Sequence, residues 1–275
     1  MYNNYLVIKW SDKMESIKLS NITFQYNDFT VFDRLTMQIN KGTNTAIIGT
    51  GACGKTTLAK IFAGALKSNG SIIINGVEIV KDNFYLLKRY VSVITNERYT
   101  STNMVIDELF NSLNDLNLTV EEEETRVNKI VKFFKLENVL ETRVSTFTKR
   151  FKNYLKIIKA LIRNSEYIVF DDVFVNMEEA DIKRIVKYCK ANNITIINIT
   201  TDMENLLDSD YLIILYNKGI AMEGKTLECL KEEKILKRLG FNLPFMVDLS
   251  IQLGYYGLLN EIITNERKMI KTIWK

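Results

Sequence analysis

The 275-residue chain contains no histidine, one proline, two tryptophans and three cysteines. Without histidine it has no imidazole to act as a general base, a metal ligand or a pH switch near neutrality. Cys53, Cys189 and Cys229 are odd in number and unclustered, which argues against a disulfide framework or a zinc site. No apolar run approaches the roughly 18 residues that a membrane span requires. Met1-Tyr2-Asn3-Asn4 lacks the charged and apolar regions of a secretory leader. These absences predict a soluble, cytoplasmic protein. Charge is nearly balanced, at +4, a bias too weak to argue for nucleic acid and compatible with docking at an anionic membrane face.

What is present begins with a hydrophobic fraction of 47%, enough for a real core. The length predicts one large α/β domain with an appended piece. Gly49-Thr50-Gly51-Ala52-Cys53-Gly54-Lys55-Thr56-Thr57 has the form G-x-x-x-x-G-K-[ST], between the apolar run Thr45-Ala46-Ile47-Ile48 and a helix-like segment from Thr57 to Ala65. A strand before and a helix after are the context that makes this a nucleoside triphosphate site. The glycines let backbone N–H groups face the phosphates, Lys55 supplies a point charge at the β/γ oxygens, and the Thr56 hydroxyl suits Mg²⁺. Cys53 has two readings: a small residue filling a loop position, or a thiol whose pKa is lowered by the helix N-terminus and Lys55.

Partial alternation from Ser16 to Phe24, and two strand-like pieces around Asn75-Gly76 between Ile72 and Ile79, predict an antiparallel sheet beside the phosphate-loop core. Helical periodicity over Val105–Leu116 and Glu121–Phe134 predicts a helical insertion between Glu97 and Ala160. Tyr167–Phe170 and Ile194–Ile199 read as strands around a helix from Met177 to Lys190, the βαβ pattern of a parallel sheet. After Gly224 the chain turns charged and helical, is interrupted by Gly240 and Pro244, and ends in Leu258 to Trp274. Ile168-Val169-Phe170-Asp171-Asp172 is a buried strand delivering two carboxylates. They read either as a solvated strand end or as groups that hold the Mg²⁺ of a bound nucleotide.

From Met14 onward this order of features resembles the ATP-binding subunit of an ABC transporter. Leu239-Gly240-Phe241-Asn242-Leu243-Pro244-Phe245 is similar to a segment typical of energy-coupling-factor (ECF) importers of vitamins and metal ions. The resemblance implies an α/β fold with a P-loop (RecA-like) parallel-sheet core, an antiparallel β subdomain, an inserted helical subdomain and a C-terminal helical appendage. It divides the chain into an extension (1–13), a nucleotide-binding domain (14–223, with helices at about 97–160) and the appendage (224–275). It places Tyr26 against adenine, the alternative being a core aromatic. Asp171 and Thr56 fall on the Mg²⁺ sphere, and Asn96 falls on the glutamine that touches Mg²⁺ and senses the membrane partner.

Family members hydrolyse ATP when two subunits clamp two nucleotides, each site joining one phosphate loop to the other subunit's L-S-G-G-Q. That motif falls on Phe147-Thr148-Lys149-Arg150-Phe151, where only the hydroxyl of Thr148 remains. Lys149 and Arg150 replace the glycines that admit close backbone approach. They read either as long cations reaching the partner's phosphate or as solvated charges on a helix. The catalytic glutamate falls on Asp172, about 1.5 Å shorter in reach, and the switch histidine on Thr201. Hydrolysis in this chain's own site is therefore expected to be slow. Since a homodimer would carry both sets of changes in every site, a heterodimer with a second ABC ATPase subunit is expected. The remaining partners implied are a transmembrane scaffold and a substrate-binding membrane subunit at the inner face of the cell membrane, with no nucleic acid. Two functions stay open, an energising ATPase subunit of an ECF-type importer and a non-hydrolysing nucleotide clamp. A translation-type ABC protein is disfavoured because the chain has room for one cassette.

Overall fold

The computed structural model describes residues 16–175 and 177–273. The expected start at Met14 and the extension over 1–13 lie outside the described residues. β1 (Ser16–Tyr26) and β2 (Phe29–Asn40) form a long hairpin, and β3 (Asn44–Gly49) leads into α1 (Lys55–Phe62). Next come β4 (Asn69–Ile74), β5 (Val77–Glu78), α2 (Tyr85–Tyr90) and β6 (Val91–Thr95). The helical stretch holds α3 (Val105–Asn111), α4 (Val120–Phe134) and α5 (Lys149–Leu161). β7 (Tyr167–Asp171), α6 (Glu179–Ala191), β8 (Thr195–Thr200), β9 (Tyr211–Tyr216) and β10 (Gly219–Lys225) complete the sheets, followed by α7 (Thr226–Lys231), α8 (Glu233–Arg238), α9 (Phe245–Tyr255) and α10 (Glu266–Ile273).

A six-stranded sheet has the order β10-β9-β3-β8-β7-β6, and only the edge pair β10–β9 is antiparallel. Every residue of β3, β7 and β8 is buried, as expected of parallel strands covered on both faces. A second sheet, β2-β1-β4-β5, is antiparallel, with Ile74 opposite Val77 across the Asn75-Gly76 turn. The alternation of β1 is only partial because the register shifts between Leu19 and Ile22. That irregularity puts both residues in the core although they are three apart.

Three cores follow. One lies between the two sheets and includes Phe32, Leu58 and Phe62. A second joins β6, β7 and β8 to the helices, whose buried residues recur at helical spacing, as in Val127, Ile130, Val131 and Phe134 of α4. The third packs Leu230, Leu236, Phe241 and Val247 of the C-terminal region on Ala46, Ile48, Leu212 and Ile214 of β3 and β9. The appendage thus covers a sheet face that would otherwise be wet. β10 runs across the expected boundary between residues 223 and 224.

The expected helix Val105–Leu116 stops at Asn111. Residues 112–116 instead form tight turns, and Arg163 Nη1 takes the carbonyl of Ser112 at 2.8 Å, where a continuing helix would use it.

The chain between β6 and α3 is held by one buried carboxylate. Glu108 accepts hydrogen bonds from Ser101 Oγ at 2.6 Å and Asn103 Nδ2 at 2.8 Å, from the Tyr99 hydroxyl, and from the Lys159 ammonium of α5. Burial alone would raise its pKa, but the bonds from Lys159, Ser101 and Tyr99 and the lysine's charge prevail and hold it at about 2. Replacing Glu108 with Ala strands the half-buried Lys159 and should cost about 3–5 kcal/mol of folding stability at pH 7. Because the folded pKa lies below the ordinary 4.5, the stabilisation is complete above about pH 4.5 and lost as pH falls toward about 2. Urea melts of both proteins across that window should therefore converge; a constant gap would show that Glu108 acts by packing alone.

Candidate nucleotide-binding site

The turn between β3 and α1 is a tight loop whose geometry depends on glycine. Gly54, the N-cap of α1, has φ +98°, and a Cβ there would lie 2.6 Å from Val31 and 2.7 Å from Phe32 of β2. A Cβ at Gly49 would collide with the Cys53 sulfur. The loop between them is closed by Cys53 N donating to Thr50 O at 3.3 Å, with Ala52 also left-handed at φ +59° and Gly51 exposed. Lys55 is buried and its ammonium donates to Gly49 O at 2.7 Å and Thr50 O at 3.2 Å, with Cys53 Sγ 3.9 Å away. The cation therefore sits inside the loop. Thr56 faces solvent beside it and Thr57 is buried on the other side of the helix.

Parallel pairing brings the acidic strand end to this loop. Asp171 closes β7 opposite Thr95 of β6 and Ile199 of β8, and β8 in turn pairs with β3, Ile48 facing Thr200. Asp171 is 5% exposed, lies beside the Thr56 hydroxyl, and its Oδ1 is buried without a partner among the described residues. Burial first, then the charge of Asp172, pushes its pKa up, opposed by Thr56, Lys55 and Lys60. A desolvated carboxylate with an unbonded oxygen, next to a hydroxyl, is a hard-oxygen donor set of the kind Mg²⁺ takes, so these residues fit that ion. This arrangement favours the metal reading of the tandem acids over a solvated strand end.

Asp172 adopts a left-handed backbone, φ +52°, and its Oδ1 accepts the Thr201 N–H at 3.0 Å and the Thr201 hydroxyl at 3.4 Å. The two positions are thus bonded to each other across adjacent strand ends. Asn96 follows β6 directly and is exposed at the same edge.

Tyr26 ends β1 opposite Phe29, 44% exposed and edge-on to Phe24 at 4.9 Å, so it is not a core aromatic. Phe29 is 60% exposed on the same hairpin tip, an aromatic that sequence reasoning missed. Two aromatics flanking the short turn Asn27-Asp28 were the available signal. This hairpin borders the loop, since Val31 and Phe32 of β2 are the groups that crowd Gly54.

Thr148, Lys149 and Arg150 stand apart from this group at the start of α5. Thr148 caps the helix, accepting Phe151 N at 3.3 Å. Arg150 pairs with Glu178, the N-cap of α6, and, at 3.0 Å, with Asp181 in the first turn of that helix. Arg150 is thus bonded within its own chain, which neither reading anticipated, while Lys149 is exposed and has no partner among the described residues.

Comparison with known proteins agrees with this geometry. The family model described as ABC transporter matches residues 32–175. The energy-coupling factor transporter ATP-binding protein EcfA1 of Staphylococcus aureus (strain USA300) is 27% identical over 270 residues, 91% of this chain and 99% of that protein. EcfA1 of Mycoplasmopsis synoviae is 27% identical over 246 residues, 85% of this chain and 92% of that protein. Among solved structures, cbiO1 from Clostridium perfringens, described as part of the ABC transporter complex cbiONQ, superposes with a TM-score of 0.72 at 19% identity. It covers 89% of this chain and 99% of its own. A nucleotide-free ATP-binding cassette from an ABC transporter gives 0.70 at 21% identity, covering 83% of this chain and 100% of its own.

Two outcomes test the site. Lys55→Ala removes the ammonium held in the loop and should weaken Mg-ATP binding by roughly 10- to 100-fold, the worth of a charged hydrogen bond; unchanged affinity by calorimetry would remove the assignment. Cys189 and Cys229 are buried, and burial pushes both thiols up to about 12. Thiol reagents should therefore label the half-buried Cys53 first, abolish nucleotide binding, and be slowed by ATP. Equal labelling with and without ATP, followed by mass spectrometry, would contradict it.

Proposed function

The chain belongs to the ABC transporter family, and within it we propose that this protein is the ATP-binding subunit of an importer of the energy-coupling-factor type. The observation that carries the reading is the meeting of Lys55, Thr56 and Asp171 at one phosphate loop, with a buried carboxylate oxygen of Asp171 left unbonded. In this reading ATP is the substrate. Loop N–H groups from Gly49 to Thr57 and the Lys55 ammonium hold its phosphates, and Tyr26 with Phe29 offers aromatic faces to adenine. Thr56, Asp171 and Asn96 would hold Mg²⁺, which when bound neutralises charge on the phosphate oxygens.

Asp172 is the group positioned to orient water, and here its Oδ1 is occupied by Thr201. A shorter carboxylate already bonded to a neighbour is a poor general base, and loss of such a base typically slows chemistry 10²- to 10⁴-fold. That bond supports the second reading, a subunit that binds ATP and closes while hydrolysing little. Both readings share a second ABC ATPase subunit, a heterodimer being favoured because its partner could bring an unaltered site. They also share a membrane scaffold and a substrate-binding membrane subunit, which would select a vitamin or metal ion. No helix among the described residues is long and apolar enough to cross a membrane. We place the chain in the cytoplasm at the inner membrane face, held there by those partners.

ATPase assays of the chain alone and mixed with a second ABC ATPase subunit separate the two readings, since a clamp binds without turnover. Asp172→Glu with Thr201→His should raise turnover of the assembled complex about 10- to 100-fold, more than either change alone, because each restores reach to a different part of one transition state. If the pair does nothing while Lys149→Gly with Arg150→Gly gains activity, the limiting defect lies in the 147–151 segment instead.

A further inference from the structure

α5 begins at the Thr148 cap and runs past the segment that follows β6. Two turns after Thr148, Lys156 Nζ donates to Thr95 O at 2.6 Å and to Glu97 O at 2.9 Å. Those carbonyls belong to the residues on either side of Asn96. One helical turn later Lys159 bonds the Tyr99 hydroxyl at 2.9 Å and the Glu108 carboxylate. The chain from Thr95 to Tyr99 therefore hangs on two lysines of one helix face.

Lys156 differs from its neighbour in what it meets. Lys159 has a carboxylate, whereas Lys156 spends a half-buried ammonium on two backbone carbonyls, and burial lowers its pKa. Drawing the carbonyls of Thr95 and Glu97 to one point pins the chain just before Asn96 and one residue after it, which limits the backbone conformations open to Asn96. Arg150 ties the first turn of α5 to Glu178 and Asp181, so the helix is anchored at its start as well.

We propose that Lys156 is the positioning residue for Asn96, holding the chain on both sides of it at the end of β6. The proposal rests on the reading of Asn96 as a Mg²⁺ ligand.

The test is a Mg²⁺ titration of ATP binding to the full chain, followed by calorimetry, for wild type, Asn96→Ala, Lys156→Met, the double variant and Lys156→Arg. Asn96→Ala should raise the Mg²⁺ needed for half-maximal affinity by about tenfold or more, the usual scale for groups around a metal. Lys156→Met should shift it in the same direction, the double variant should shift no further than the larger single change, and Lys156→Arg should recover most of the loss. Amide exchange without nucleotide supplies a second readout: Lys156→Met should speed exchange at 95–99 while β7 stays protected. Should Lys156→Met fail to fold, Lys156→Gln, which keeps one donor, carries the same comparisons. A shift in Asn96→Ala with none in the Lys156 variants, or shifts that multiply independently, would overturn the positioning role. No shift in Asn96→Ala would instead overturn the metal reading of Asn96.

Discussion

Parallel strands in one sheet must finish at the same edge, and in this protein β3, β6, β7 and β8 finish at Gly49, Thr95, Asp171 and Thr200. Both faces of those strands are covered, so their interiors are apolar and chemistry can surface only where they end. That constraint explains why the phosphate loop, the tandem aspartates, Thr201 and Asn96 are neighbours although they are scattered along the chain. It also explains the C-terminal helices. Ala46 and Ile48, on the strand that feeds the phosphate loop, are sealed from water by Leu230, Leu236 and Phe241. Gly240 approaches the loop itself, since a Cβ there would lie 3.7 Å from Thr50.

The same edge is electrostatically strained in a way that favours a cation. Asp171 is buried, next to a second carboxylate, and keeps an oxygen without a hydrogen bond; Thr56 and Lys55 relieve this only in part, since its pKa remains raised. A divalent ion would supply the missing partner and offset the desolvation, so the site is tuned to what it would hold rather than to its own stability. Glu108 shows the opposite arrangement. Its carboxylate is also buried, but four donors satisfy it, and it serves the fold of the 96–104 segment.

The loop Gly49–Thr57, the strand ending in Asp171-Asp172 and the βαβ unit after it were legible because each has a local pattern: fixed glycine spacing, an apolar run, a change of period. β2, β6 and the β9–β10 hairpin were not, because their identity comes from partners. Phe29–Asn40 carries Asp33 and Arg34 in its middle and reads as no clean alternation, yet it pairs along its length with β1. Gly219–Lys225 is short of apolar residues and is a strand only as the edge beside β9. At the site, residue types were readable and their bonds were not. Arg150 read either as a long cation reaching a partner's phosphate or as a solvated charge, and its partners Glu178 and Asp181 are too distant in sequence to be foreseen. The bonds of Lys156 were not readable at all, because carbonyl acceptors leave no mark in a sequence.

Departures from the family pattern share one direction on the proposed reading: Asp172, Asn96 and Thr201 are each shorter than the glutamate, glutamine and histidine implied at those positions. Shortening Asp172 and Thr201 together preserves a contact between them, and on that reading withdraws both from the place where water and γ-phosphate would meet. Shortening one alone would have left a longer neighbour without its partner. The loop that grips phosphate depends on backbone and on Lys55, neither of which changes in reach. On the proposed reading, affinity and turnover rest on different atoms. A site built this way can retain the first while losing most of the second, and the energy released when ATP is bound and two subunits close is then available to move a membrane partner without requiring that this half of the pair cut its nucleotide quickly.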